Sequence, residues 1–284
     1  MRRLFLLYAC LVLLSAGRFG LGALEIELTG GLNNLFFKES ATDPSPFFSF
    51  NFSLRDDISG DFAYSIDLER DSIWQNSITS RVITRTDNFR VEFGLFFGSS
   101  DKIDNNFKNF DFGVTGALEV TFPGIVFLSL SGSSTLGAEL DFLGNNSRRF
   151  GEIKLGFWLP NTIASLSASS KSYHGNFSSG ALRLDTLNRF ALSADFYSKN
   201  TPVLLSFDFG YEKFQRSYDT SGGKNNLNAL FAGLGIAWRI TPAVQIKIEA
   251  EAPIHIFAET STRDFKNPWT SLYKVYGGVV YSFY

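Results

Sequence analysis

The 284-residue chain carries 26 basic and 28 acidic residues, 31 Phe, 10 Tyr and 25 Gly, but one Met, one Cys and two His. A formal charge of −2 without a basic block argues against a nucleic-acid partner, and one Cys with two separated His gives no metal-ligand spacing. So much Phe and Tyr requires either a large core or an apolar solvent outside the fold.

Arg2 and Arg3 precede an apolar run from Leu4 to Ala16, and small residues follow at Gly17, Gly20, Gly22 and Ala23. A basic start, a short apolar stretch and a small-residue cleavage zone make an export leader. Residues 1–22 are expected to be removed, leaving 23–284 as one domain. The apolar run is too short to span a bilayer as a helix, and no later segment is a charge-free run of that length. Losing Arg2, Arg3 and Arg18 lowers the 26 basic residues to 23 against 28 acidic ones, a net charge of −5. Cys10 leaves with the leader, so the mature chain must hold together without a disulfide.

From Leu24 onward the chain alternates with period two, the mark of half-buried strands. Leu24, Ile26 and Leu28 oppose Glu25, Glu27 and Thr29. Phe48, Phe50, Phe52 and Leu54 oppose Ser49, Asn51, Ser53 and Arg55, and Phe62, Tyr64, Ile66 and Leu68 oppose Asp61, Ala63, Ser65, Asp67 and Glu69. The same pattern sets Phe110, Phe112, Val114, Leu118 and Val120 against Asp111, Thr115, Glu119 and Thr121. It recurs in 203–214 and 244–258, where Val203, Leu205, Phe207 and Val244, Ile246, Ile248 share the apolar faces. Weaker segments at 76–86, 89–99, 125–136, 149–159, 162–173, 187–198 and 228–240, with the C-terminal piece, bring the expected total to fourteen strands. Twelve is the alternative.

The connections alternate in length. Tight ones are expected at Asp56–Gly60, Thr86–Asn88, Pro123–Gly124, Pro160–Asn161, Lys199–Pro202 and Thr241–Ala243, each with a turn-forming residue. Longer polar stretches are expected at Asn33–Pro46, Arg70–Gln75, Ser100–Phe107, Gly137–Arg148, His174–Thr186, Ser217–Leu227 and Glu259–Leu272. A closed meander with both ends on the tight-turn side has this count.

The pattern resembles bacterial outer-membrane β-barrels over nearly the whole of 23–284, and in chain length it resembles small monomeric porins. The resemblance implies an all-β, antiparallel up-and-down transmembrane barrel in the bacterial outer membrane, with apolar residues toward lipid and polar ones toward the lumen. It also implies a single-chain channel rather than a trimer. Because the first expected strand starts almost at the expected cleavage zone, no N-terminal plug is expected. Aromatic girdles are expected, with Phe89, Phe122, Trp158, Tyr197 and Trp238 beside tight turns and Trp74, Tyr173, Tyr218 and Trp269 beside long loops. In such barrels the last strand pairs with the first, and its aromatic end is read by the barrel assembly machinery. Val275, Val279, Tyr281 and Phe283 look like that signal, with Tyr284 one residue out of phase.

A fourteen-strand barrel is too wide for side chains to fill. The expected pore-lining residues are Arg81, Arg85, Arg90, Glu92, Asp111, Glu119, Lys154, Asp195, Asp208, Arg239, Lys247 and Glu249. Counting also Glu25, Glu27, Asp61, Asp67, Glu69, Glu152, Glu212, Glu251, Arg55 and Arg189, fourteen acids face eight bases on the inner side. This predicts a mild cation preference. Inward glycines, among them Gly94, Gly113, Gly156, Gly210, Gly233 and Gly235, are expected to permit bends or leave room.

No enzymatic constellation emerges. His174 lies in "SYHGNFSSG" and His255 in "PIHIF". Neither has the His-x-Ser pattern of barrel phospholipases nor the Asp-x-His pattern of barrel proteases, so both read as rim histidines. Expected partners are outer-membrane lipid and small hydrophilic solutes, without a cofactor. Two alternatives compete with a passive channel: a closed barrel whose outer loops bind a ligand or host surface, and an uptake channel for hydrophobic solutes such as fatty acids.

Overall fold

A computed structural model describes residues 23–33, 45–55, 62–71, 75–100, 109–122, 124–136, 147–176, 182–198, 201–218, 224–261 and 274–283. The expected leader, Asp61, Trp74, Trp269 and Tyr284 lie outside them. So do the side chains of 23–78, Asp111, Tyr173 and Tyr218.

Among the described residues the strands are β1 (Ala23–Asn33), β2 (Ser45–Arg55), β3 (Phe62–Asp71), β4 (Gln75–Arg85), β5 (Phe89–Ser100), β6 (Asn109–Phe122) and β7 (Val126–Thr135). They continue as β8 (Ser147–Leu159), β9 (Thr162–Asn176), β10 (Leu182–Tyr197), β11 (Val203–Tyr218), β12 (Lys224–Thr241), β13 (Val244–Ser261) and β14 (Lys274–Phe283). Each pairs antiparallel with its chain neighbour, and β14 pairs back onto β1 from Leu24↔Phe283 to Asn33↔Lys274. The wall is a closed barrel, so no strand edge is left open.

Partner positions advance by about one residue per strand around the wall, which with ~4.8 Å between strands and ~3.3 Å rise tilts them by roughly 35°. Fourteen strands at that tilt give a backbone diameter of roughly 26 Å.

Two tight turns need left-handed backbone: Gly124 has φ 74° and Asn161 φ 59°. Glycine has no Cβ to clash there, and Asn tolerates the region better than most residues. At two others a threonine closes the turn, its hydroxyl oxygen accepting the N–H three residues on: Thr86 from Phe89 and Thr241 from Val244.

Alternation puts the large apolar residues outside. Phe89, Val91, Phe93, Leu95 and Phe97 of β5 are all exposed, as are Leu155, Phe157 and Leu159 of β8, Phe190, Leu192 and Phe196 of β10, and Leu234, Ile236, Trp238 and Ile240 of β12. The inner parity of the same strands carries Arg90, Glu92, Lys154, Asp195 and Gly235. That side is the concave one, because Arg189 of β10 reaches Glu251 of β13 over two intervening strands. From the tight-turn end, the outward apolar series of most strands with described side chains runs for roughly seven to nine residues, a band roughly 20–25 Å tall at this tilt. Above it, outward positions turn polar at Ser170, Asn188, Lys213 and Asn228. The band matches a hydrocarbon layer, and in hydrocarbon only a closed ladder satisfies every backbone donor and acceptor.

Three expectations are corrected. Trp158 and Tyr197 take the inner parity rather than a girdle, the Trp158 ring lying 5.0 Å from that of Phe127. Phe157, Leu159 and Phe196 hold the outward places. The Arg70–Gln75 stretch is no long loop, since β3 reaches Asp71 and β4 starts at Gln75. On the far side β9 to β13 run 15 to 18 residues each, so the expected loops His174–Thr186 and Ser217–Leu227 shrink to 177–181 and 219–223. These strands outlast the apolar band, and polar residues become frequent on their outward side there, with Leu184 and Phe257 as exposed exceptions.

Candidate functional site

The inner wall divides into three sectors. In the first, β4 to β6, the guanidiniums of Arg81 and Arg90 converge on Glu92 at 3.4 and 2.5 Å. Arg90 also stands directly opposite Glu119 in the β5–β6 register. Beside them is a recess of about 280 Å³ whose lining includes Arg81, Arg90, Glu119, Thr115, Ser129 and Ser131. Arg85 is exposed at the tight-turn mouth and pairs in register with Arg90.

The second sector, β7 to β9, is built of small hydroxyl residues: Ser129, Ser131 and Ser133 on β7, and Ser165, Ser167 and Ser169 on β9. Lys154 stands between Ser129 and Ser167, and Glu152 between Ser131 and Ser169. Short neighbours leave the lysine room to extend over the bore.

The third sector, β10 to β13, is acid-rich. Asp208 accepts a short hydrogen bond from the Ser193 hydroxyl, and Asp195 lies one pair along the ladder, opposite Ser206. Glu249 accepts from the Tyr276 hydroxyl. Arg189 donates to both oxygens of Glu251 at 2.8 and 2.5 Å, and its guanidinium lies 3.6 Å from the centre of the Phe231 ring. Bidentate and cation–π contacts together fix this side chain flat on the wall. Glu212 is buried beside it. Lys247 pairs in register with Gly278, and Arg239 is exposed near the tight turn beside Gln245.

The expected pore-lining residues with described side chains therefore share the inner parity, spread around the wall rather than gathered at one point. Asp111 pairs through its backbone with Gly98. Sequence reasoning missed two inward cations, Arg148 and Lys171, because 149–159 and 162–173 were bounded too tightly or too short of polar contrast. It also missed the inward rings. Phe96, Phe127 and Phe231 each stand opposite a glycine, Gly113, Gly156 and Gly210, and a Cβ on any of these would run into the ring. The glycines make room for neighbouring aromatics, a known device of curved sheets. The signal was present in the doubled and off-phase aromatics of "LFFG" and "VFL".

The histidines stand apart from this wall. His174 is half-buried at the outward parity near the end of β9, and His255 is exposed with its ring edge-on to Phe257 at 4.7 Å. Among the described residues no group of three or more His, Cys, Asp or Glu could hold a metal ion.

No protein-family model matches the chain, and no curated protein matches it. Solved structures do. An outer membrane channel from Pseudomonas putida F1 aligns with a TM-score of 0.51 at 10% identity, covering 93% of this chain and 96% of that one. OmpT of Vibrio cholerae, in a trimer form, aligns at 0.44 and 10% identity over 92% and 99%. OmpF of Salmonella typhi, in complex with daunomycin, aligns at 0.44 and 11% over 93% and 97%. The first of these likenesses establishes the fold: the chain has the architecture of a bacterial outer-membrane β-barrel.

Proposed function

We propose that the chain is a passive diffusion channel of the outer membrane for small hydrophilic solutes, and not an enzyme. One observation carries the reading. Every carboxylate with a described strand side chain faces the bore: Glu92, Glu119, Glu152, Asp195, Asp208, Glu212, Glu249 and Glu251. Ionised groups in such numbers are untenable in a dry core, so the bore holds water.

The working parts are the residues of the three sectors, with Arg81, Arg90, Glu119, Lys154, Asp208 and Lys247 nearest mid-wall. A cation preference rests on the acids of β10–β13. Arg148 and Lys171 bring the described inner charge close to balance, so this preference is mild and local to that sector. The channel acts as a single chain, and its outward C-terminal residues Val275, Val279 and Tyr281 present the surface that the assembly machinery reads.

Liposome swelling tests this. Vesicles carrying the full chain should swell in isotonic solutions of small neutral sugars and stay tight to long oligosaccharides. Vesicles as tight as protein-free ones would reject the channel.

A further inference from the structure

The recess beside Arg81 and Arg90 exists because the wall next to them is small. Across β6 and β7, Ala117 pairs with Ser131 and Thr115 with Ser133, and Ser133 pairs in turn with Phe150 of β8. The wall therefore sinks between the long side chains of β4 and β5 and the Phe150 ring. The hollow holds about 280 Å³. Arg81, Arg90 and Glu92 form one bank and Phe150 the other. Thr115, Ala117, Ser129 and Ser131 make the floor, and Glu119 stands at the tight-turn end. Gly116 and Gly132 add backbone alone.

The charges of the lining cancel, two guanidiniums standing against two carboxylates. Glu92 takes both cations, at 3.4 and 2.5 Å, and Arg90 is also paired in register with Glu119. Glu152 and Lys154, opposite Ser131 and Ser129, add one charge of each sign and keep the balance. An entering ion would leave its own charge, or one of this set, uncompensated. An uncharged hydroxyl group meets no such cost. A guanidinium has about five donors and a carboxylate about four lone pairs, so the cluster can bind hydroxyls and keep its ion pairs. Thr115 donates to the Gly132 carbonyl at 3.3 Å, which leaves its own oxygen to accept. Phe150 brings an apolar face to the same hollow. Balanced donors and acceptors on one side and a ring on the other match a solute with hydroxyls at its rim and C–H bonds on its face. We propose that the hollow is a binding subsite for one uncharged sugar ring. Its volume lies just below the ~300–1,000 Å³ of sites for drug-sized ligands, room for one ring and not for a chain. The proposal rests on the channel reading and narrows it to a solute class.

Saturation-transfer NMR of the full chain, in a detergent without a sugar headgroup, reads binding without conduction. Glucose, glucuronate and protonated glucosamine are the probes, one ring in neutral, anionic and cationic form. Glucose should give a saturable signal, and each charged sugar should bind at least about threefold more weakly. Phe150→Ala should weaken glucose roughly three- to tenfold, and Phe150→Trp should retain it. Ala117→Leu, which fills the floor and keeps every polar group and the ring, should lose it. Each variant is scored on chains that keep heat-modifiable gel migration. Tighter binding of glucuronate or glucosamine than of glucose would make this an ion site and overturn the proposal. So would glucose held equally by the wild type and by Phe150→Ala or Ala117→Leu. Vesicles that swell while the purified chain gives no saturable glucose signal would remove the subsite and leave the channel. A saturable signal from a chain whose vesicles stay tight would remove the channel and leave the subsite.

Discussion

Arg189 on β10 holds Glu251 on β13 through two hydrogen bonds of 2.8 and 2.5 Å, crossing two strands that belong to neither residue. The contact fixes which side of the sheet is concave and ties the acid-rich sector together. Removing one partner of such a pair strands the other in a confined site beside Glu212. Arg189→Ala should destabilise the barrel by about 3 kcal/mol, and the Arg189→Ala/Glu251→Ala pair by less than the sum of the singles. Urea unfolding from lipid vesicles, followed by tryptophan fluorescence as a double-mutant cycle, measures this. Additivity would mean that the contact contributes nothing.

Gly156 and Phe127 offer a steric test. Gly156→Val sets a branched Cβ against the Phe127 ring and should cost about 2 kcal/mol. Adding Phe127→Ala should recover most of the loss in the same assay.

The strands were legible because alternation is strict where one side meets hydrocarbon and the other water. "FFSFNFSLR" and "VLLSFDFGYE" can be sorted residue by residue. The meander order followed from the run of connections, and the closing pair of first and last strands came from the resemblance to outer-membrane barrels. What stayed hidden lies where that contrast fades. β9 and the far ends of β11 and β12 are rich in Ser, Asn and Gln, so their extension past the membrane left little periodic mark. Inward Phe96 sits beside outward Phe97, and its partner Gly113, directly opposite on the neighbouring strand, makes room for it. The inner charges were assignable to a face, but not to sectors, because sector membership depends on register between strands.

Facing can be tested by charge insertion. Leu166→Arg places a cation near the middle of the apolar band and should cost about 2–4 kcal/mol. Ser167→Arg, next along the chain but inward, should cost less than about 1 kcal/mol. Unfolding from vesicles compares them directly, and equal costs would contradict the assigned faces.

Selectivity follows from the acid sector. Replacing Asp195, Asp208 and Glu249 by Lys should lower the cation-to-anion permeability ratio by roughly several-fold and carry the channel to anion preference. Reversal potentials across a salt gradient report it. An unchanged ratio would show that ions do not pass along this sector.

The most direct test joins facing and conduction in one recording. The chain from Ala23 onward has no cysteine, so Asp208→Cys and Phe207→Cys each introduce a single thiol. In planar bilayers, a water-soluble cationic thiol reagent should lower the current through Asp208→Cys channels in discrete steps and leave Phe207→Cys channels unchanged. Absence of channels, or a response at Phe207 with none at Asp208, would contradict a water-filled bore lined by the carboxylate face.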